Sequence, residues 1–107
     1  MCDITGAIAI GCNVENAAYG STMCAERGAV MAAVVAGIRT PLLLAIVTNG
    51  RTPAAPCGSC RQVLVELAPD VEIISVAGDG GGQRQERWRL TDLIPNAFLP
   101  SSLDMPT

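Results

Sequence analysis

The sequence of 107 residues contains no histidine and no lysine, and it has only three aromatic residues, one each of tyrosine, tryptophan and phenylalanine. Without histidine, no Ser-His or Cys-His nucleophilic pair is possible, and thiolates and carboxylates remain as the metal-binding side chains. Since half of the residues are apolar and so few are aromatic, the core must be aliphatic. The net charge of −3, without a basic cluster, argues against nucleic acid as a partner.

Long apolar segments are also missing. No stretch approaches the roughly 20 apolar residues of a membrane span, and the first residues lack the basic and apolar regions of a signal peptide. We therefore expect no membrane partner and a cytoplasmic location. The length predicts a single domain over residues 1–107, with a Pro- and Ser-rich tail that frays from about residue 100.

Hydrophobic patterns and Gly or Pro breaks indicate alternating strands and helices. Strands are expected over residues 4–12, 42–48, 71–76 and 83–89, and helices over 23–36, 57–67 and 91–94. The continuous apolar run over 42–48 is typical of a central strand covered on both faces. A flexible turn is expected at 78–82. This order predicts an α/β sandwich that contains parallel crossover units.

Three cysteines fall at the predicted starts of two helices. Cys57 and Cys60 are one helical turn apart, and Cys24 begins the earlier helix, where helix N-termini favour thiolates. Five cysteines without a secretory signal do not indicate a disulfide framework. The pattern predicts a Zn²⁺ held by these three thiolates, one ion per chain, with the Glu26 carboxylate beside the open position to move protons.

Two arginines follow these cysteines. Three thiolates give the zinc site a charge of about −1, so we expect Arg27 and Arg61 to donate to the sulfurs and withdraw electron density. The alternative is that both are solvated helix residues. For the CxxC alone, a redox pair or a structural zinc site competes, and Cys2 or Cys12 would close a structural site as a fourth ligand.

Three motifs in order resemble the cytidine deaminase family of the three-cysteine, homotetrameric type. They are GCNVENAAYG over residues 11–20, CAER over 24–27 and PCGSCRQ over 56–62. The resemblance implies a three-layer α-β-α sandwich with a mixed sheet containing parallel crossover strands. It also implies a zinc enzyme that hydrolyses cytidine or deoxycytidine to uridine or deoxyuridine with release of ammonia, in pyrimidine salvage.

The same resemblance implies roles for single residues. Glu26 would protonate N3 and then the leaving amine, Asn13 and Glu15 would bind the sugar 3′-hydroxyl, and the Ala25 N–H would meet the base carbonyl. Gln62 would join Arg27 and Arg61 around the zinc ligands. Positions that reach a neighbouring subunit in the homotetramer are matched by Ala17, Tyr19 and Phe98.

Family members usually carry an N-terminal helix and a first strand before the stretch that matches residues 4–13. That segment is absent from this sequence, together with a phenylalanine that packs on the base, so one pocket wall and one sheet partner are expected to be missing. Two alternatives to the nucleoside deaminase stay open, and the missing segment motivates the second of them. One is deamination of a cytosine nucleoside antibiotic of the blasticidin S type, and the other is a catalytically silent zinc-binding module.

Overall fold

The computed structural model of the chain describes residues 1–78 and 83–104. A four-stranded sheet has the order β1-β2-β3-β4, in which β2 and β3 are parallel and the other neighbours are antiparallel. The strands are β1 (Cys2–Asp3), β2 (Pro41–Thr48), β3 (Glu72–Gly78) and β4 (Gln83–Arg89). The helices are α1 (Ala25–Ala36), α2 (Gly58–Leu67) and α3 (Leu90–Leu93). The predicted α/β fold with a mixed sheet is confirmed.

The first strand differs most from the prediction. Only Cys2–Asp3 forms a strand, and the expected strand over 4–12 is wrong apart from a single bridge between Cys2 and Ile8. The Asp3 carboxylate accepts hydrogen bonds from the hydroxyl and N–H of Thr5 and from the Ala7 N–H, and Gly6 has a φ of 87°. This local turn reverses the chain where an extended strand was expected.

Both long helices form close to their predicted positions. Helix α1 begins two residues later than expected and ends where Gly37 takes a left-handed φ of 77°, which a residue without Cβ adopts without strain. Helix α2 begins after Cys57. Helix α3 forms one residue earlier than the expected turn over 91–94, and the chain leaves it before Pro95.

A single core cluster joins buried residues of the three helices to one face of the sheet. Leu44 of β2 and Ile73 of β3 lie opposite each other and are buried against the helices. On the other face of β2, Val47 is 77% exposed. The prediction that this strand is covered on both faces is therefore wrong for the described residues, and its burial alternates as in a half-covered sheet.

Two further segments were predicted from turn chemistry. The expected turn at 78–82 lies outside the described residues beyond Gly78. The segment expected to fray contains a short 3₁₀ helix over Pro100–Asp104, and residues 105–107 lie outside the described part, so the fraying stays a prediction. Within residues 1–78 and 83–104, no helix has the length and apolar character that a membrane crossing requires.

Candidate metal centre and substrate cavity

Cys24 and Cys57 are the N-cap residues of α1 and α2, and Cys60 lies in the first turn of α2. The Cys57 sulfur is 3.6 Å from that of Cys24 and 3.4 Å from that of Cys60, and all three sulfurs lie within 4.8 Å of one another. Tetrahedral Zn–S bonds of about 2.3 Å place ligand sulfurs about 3.8 Å apart. The donor set and its spacing therefore fit a zinc ion.

The environments of two of these thiols differ in a way that affects metal binding. A backbone N–H of Cys60 lowers the pKa of Cys57, whereas burial raises the pKa of Cys60. Cys57 is therefore the more readily ionised of the two, and Cys60 must lose its proton on binding the metal. Because proton loss accompanies metal binding, zinc affinity should increase with pH.

Glu26 lies in the first turn of α1, immediately after the Cys24 cap. Its carboxylate lies close enough to contribute to the raised pKa of Cys60. It also lines a cavity of about 320 Å³, together with Asn13 and Ala25. The structure thus places the Glu26 carboxylate, the Asn13 amide and the first residue of α1 around one cavity, and Cys24 caps that same helix. Glu15 is not among the lining residues and is exposed.

The loop that carries Asn13 is held against α1 by a close backbone approach. A Cβ added at Gly11 would lie 2.5 Å from the Ala25 carbonyl oxygen and 2.7 Å from the Gly28 carbonyl carbon. Only glycine fits there without displacing the backbone. A two-way backbone bridge between Val14 and Met23, with N···O distances of 2.9 and 2.8 Å, closes the loop.

The two arginines take different positions. Arg27 Nη2 lies 3.8 Å from the Cys24 sulfur, and the neighbouring Cys24 and Cys60 sulfurs raise the pKa of Arg27. Arg61 differs from the prediction: it donates to the carbonyl oxygens of Pro56 at 2.7 Å and Leu93 at 2.8 Å, and no bond to a sulfur is found among the described residues. It joins the loop before Cys57 to the end of α3.

The remaining predicted site residues lie farther from the sulfurs. Gln62 Nε2 donates to the Phe98 carbonyl oxygen and to the Glu66 carboxylate, both at 2.8 Å, so it holds the C-terminal segment against α2. The side chains of Phe98 and Tyr19 are 61% and 85% exposed, and Ala17 is also exposed. Their proposed contacts with a second subunit stay predictions.

Sequence reasoning missed two residues that shape the cavity. Gly11 sets the distance between the polar loop and α1, and Ser75 of β3 donates a 2.7 Å hydrogen bond to the carbonyl of Ala54, which lines the cavity. The signal for Ser75 was a hydroxyl in the middle of an apolar strand. A buried polar side chain needs a partner, so that serine predicts a contact beyond the strand.

Residues 2–76 match the family model described as the cytidine and deoxycytidylate deaminase zinc-binding region. The chain belongs to this deaminase family. The resemblance found in the three motifs is thereby confirmed, and the family's zinc-binding region coincides with the three cysteines that the structure brings together.

Named deaminases from several organisms match most of the chain. The cytidine deaminase of Halalkalibacterium halodurans is 39% identical over 100 residues, which are 92% of this chain and 74% of that protein. The solved cytidine deaminase of Burkholderia pseudomallei has a TM-score of 0.75 and 42% identity, over 88% of this chain and 74% of that one. The solved cytidine deaminase of Mycobacterium tuberculosis has a TM-score of 0.67 and 38% identity, over 89% of this chain and 72% of that one.

Proposed function

We propose that this chain hydrolyses cytidine or deoxycytidine to uridine or deoxyuridine and ammonia. The observation that carries the proposal is that Cys24, one of three sulfurs with ligand spacing, caps the helix whose first residues, Ala25 and Glu26, line a cavity together with Asn13. Several relatives that match most of the chain are named cytidine deaminases. Support comes from the donor chemistry and from this family membership together.

Cys24, Cys57 and Cys60 would hold a zinc ion, and the chemistry it would supply is the activation of a water for attack on C4 of the cytosine ring. Glu26 accepts a proton from that water and delivers it to N3 of the ring. It then transfers the second proton to the amino group, so the C4–N bond breaks and ammonia leaves. One water is consumed for each ammonia released, and Glu26 ends the reaction in its starting state.

The sugar and the base carbonyl need polar partners in the same cavity. Asn13 and the Ala25 N–H lie on its lining segments, which supports their roles with the sugar hydroxyl and the base carbonyl. Glu15 follows Asn13 in the same loop, and we propose that it binds the sugar hydroxyl when substrate is present. Arg27, beside the Cys24 sulfur, would reduce the negative charge of three thiolates and so keep the metal a stronger Lewis acid.

We also propose that the chain assembles as a homotetramer. Tyr19 and Phe98 are largely exposed in the single chain, and both match positions that reach a neighbouring subunit in homotetrameric members of the family. Sedimentation analysis should give a mass of four 11.0 kDa chains. A monomer would reject this proposal. The cytoplasmic location and the role in pyrimidine salvage stay predictions.

The direct test is the loss of cytidine absorbance in the presence of the zinc-loaded protein. We expect turnover by the wild type and a fall of at least about a hundredfold in kcat for Glu26→Gln, with zinc content unchanged, because general acid–base catalysis contributes that much. Wild-type protein with one zinc per chain and no turnover of any cytosine nucleoside would identify a silent zinc-binding module. Turnover of blasticidin S alone would identify an antibiotic deaminase.

A further inference from the structure

Ser75 is the one fully buried polar side chain in the described part of the chain. It lies in β3, in register with Ile46 of the parallel strand β2, and both residues face the apolar core. A hydroxyl at such a position requires a hydrogen-bond partner, because an unpaired polar group in an apolar environment is destabilising. The position of that partner indicates what the serine does.

The Ser75 hydroxyl donates to the carbonyl oxygen of Ala54 at 2.7 Å, across 21 positions of sequence. Ala54 belongs to the loop that leads from β2 to Cys57, and Ala54 and Ala55 line the same cavity as Glu26 and Asn13. One hydrogen bond therefore connects the sheet to a wall of the proposed substrate cavity.

The geometry of the peptide bond extends this contact to both alanines. Because the described chain has no cis peptide, fixing the Ala54 carbonyl direction also fixes the plane of the Ala54–Ala55 peptide and the opposite direction of the Ala55 N–H. Within residues 1–78 and 83–104, two hydrogen bonds hold the loop segment over residues 50–56. Ser75 donates one to the Ala54 carbonyl, and Arg61 donates the other to the Pro56 carbonyl. They act on different parts of the loop: one on the cavity wall and one beside the metal ligand.

We propose that Ser75 is a positioning residue that holds the Ala54–Ala55 wall at the distance the substrate base requires, and this inference rests on the proposed deaminase function. Removing the hydroxyl would free the wall without touching a zinc ligand. Substrate binding would then weaken while the metal centre and the proton-carrying Glu26 remain. A role limited to fold stability would change thermal unfolding but not the Michaelis constant.

The experiment compares the zinc-loaded wild type with Ser75→Ala and with Ile73→Val, a matched change at another fully buried position of β3. We expect Ser75→Ala to lower kcat/KM about tenfold, mainly through a higher KM, with one zinc per chain retained. Ile73→Val should lower the unfolding temperature and leave KM unchanged. Ser75→Thr, which restores the hydroxyl, should return KM toward the wild-type value.

Three outcomes would overturn the proposal: an unchanged KM in Ser75→Ala, an equal rise of KM in Ile73→Val, or loss of zinc from Ser75→Ala. If Ser75→Ala does not fold, Ser75→Cys keeps the side-chain size with a weaker donor and should still raise KM. Wild-type turnover is measured first. An inactive wild type would refute the proposed function itself, whereas an active wild type with an insensitive Ser75→Ala would refute only the positioning role.

Discussion

The three-cysteine centre and the loop over residues 11–21 lie side by side, but the chain holds them in different ways. In the metal centre, Cys60 is fully buried, and Cys24 and Cys57 cap two helices that pack in the core. Every residue of the loop is exposed, and it is attached through the Gly11 backbone contact and the bridge from Val14 to Met23.

This difference indicates how zinc binding and substrate binding can be separated. The zinc ligands depend on helix N-termini that form wherever the core forms, so changes in the loop should leave the metal in place. The loop has few contacts of its own, so a small displacement should weaken substrate binding strongly. Variants in each region should therefore affect different measurements.

The largest effect is expected for Cys57→Ala, which removes one thiolate from the metal centre. Because Cys57 is exposed, the core should survive this change. We expect the zinc content to fall well below one per chain and the activity to fall by more than about a hundredfold. Such a loss exceeds the usual effect of changing a residue that only supports a metal ligand. Metal analysis and the cytidine assay measure both. Cys12→Ser, at another exposed cysteine, should retain zinc. Full zinc content in Cys57→Ala would contradict the assigned ligand set.

The second-largest effect is expected for a change in the loop over residues 11–21, which should alter substrate binding alone. In Gly11→Ala the new Cβ would lie 2.5 Å from the Ala25 carbonyl oxygen, so the loop must move away from α1. We expect KM for cytidine to rise by about ten- to a hundredfold while zinc content stays at one per chain. Gly20→Ala is the matched control, since a Cβ there would meet no atom within 4 Å. A KM like that of wild type in Gly11→Ala would show that the loop is not held by this contact.

The metal centre was largely predictable because its signals are local. A CxxC spans one helical turn, and the helix predicted from the apolar pattern brings both sulfurs to its N-terminal end. The one long-range requirement of the predicted site was that the helix bearing Cys24 pack beside the helix bearing the CxxC. Strands β2 and β3 were likewise predicted from short apolar runs, with bounds that moved by one or two residues.

The errors arose where long-range packing or side-chain turns decide the conformation. The turn at Asp3 replaces the first part of the first predicted strand, over residues 4–7, because a carboxylate and a left-handed glycine satisfy the backbone locally. Arg61 was assigned to the sulfurs from its place in sequence, yet the end of α3 packs beside it and offers a carbonyl instead. No periodicity in the sequence predicts that contact.

A smaller effect, on the stability of the fold, is expected for a change at Arg61, which joins the loop before Cys57 to the end of α3. Arg61→Gln removes the hydrogen bonds to the Pro56 and Leu93 carbonyls, and each buried bond from a charged donor contributes about 1.5–3 kcal/mol. Since Arg61 is only partly buried, we expect a loss of about 1–3 kcal/mol in the free energy of unfolding of the zinc-loaded protein, measured by urea titration. The exposed Arg51→Gln is the control. Equal free energies of unfolding for the two variants would show that the hydrogen bonds of Arg61 do not stabilise the fold.

The smallest effect concerns the turn at Asp3, which leads into the exposed loop. The hydrogen bond from the Thr5 hydroxyl lowers the pKa of the Asp3 carboxyl, so the native state binds its proton less readily than the unfolded chain. The contribution to stability is therefore present above the unfolded pKa of about 3.9 and is lost as pH falls through the lower native value. Because the group is exposed, the urea midpoint should shift only slightly between pH 7 and pH 3 through this residue. Asp3→Asn should remove that part of the shift, and an identical pH dependence in both proteins would show that the turn is held by its backbone alone.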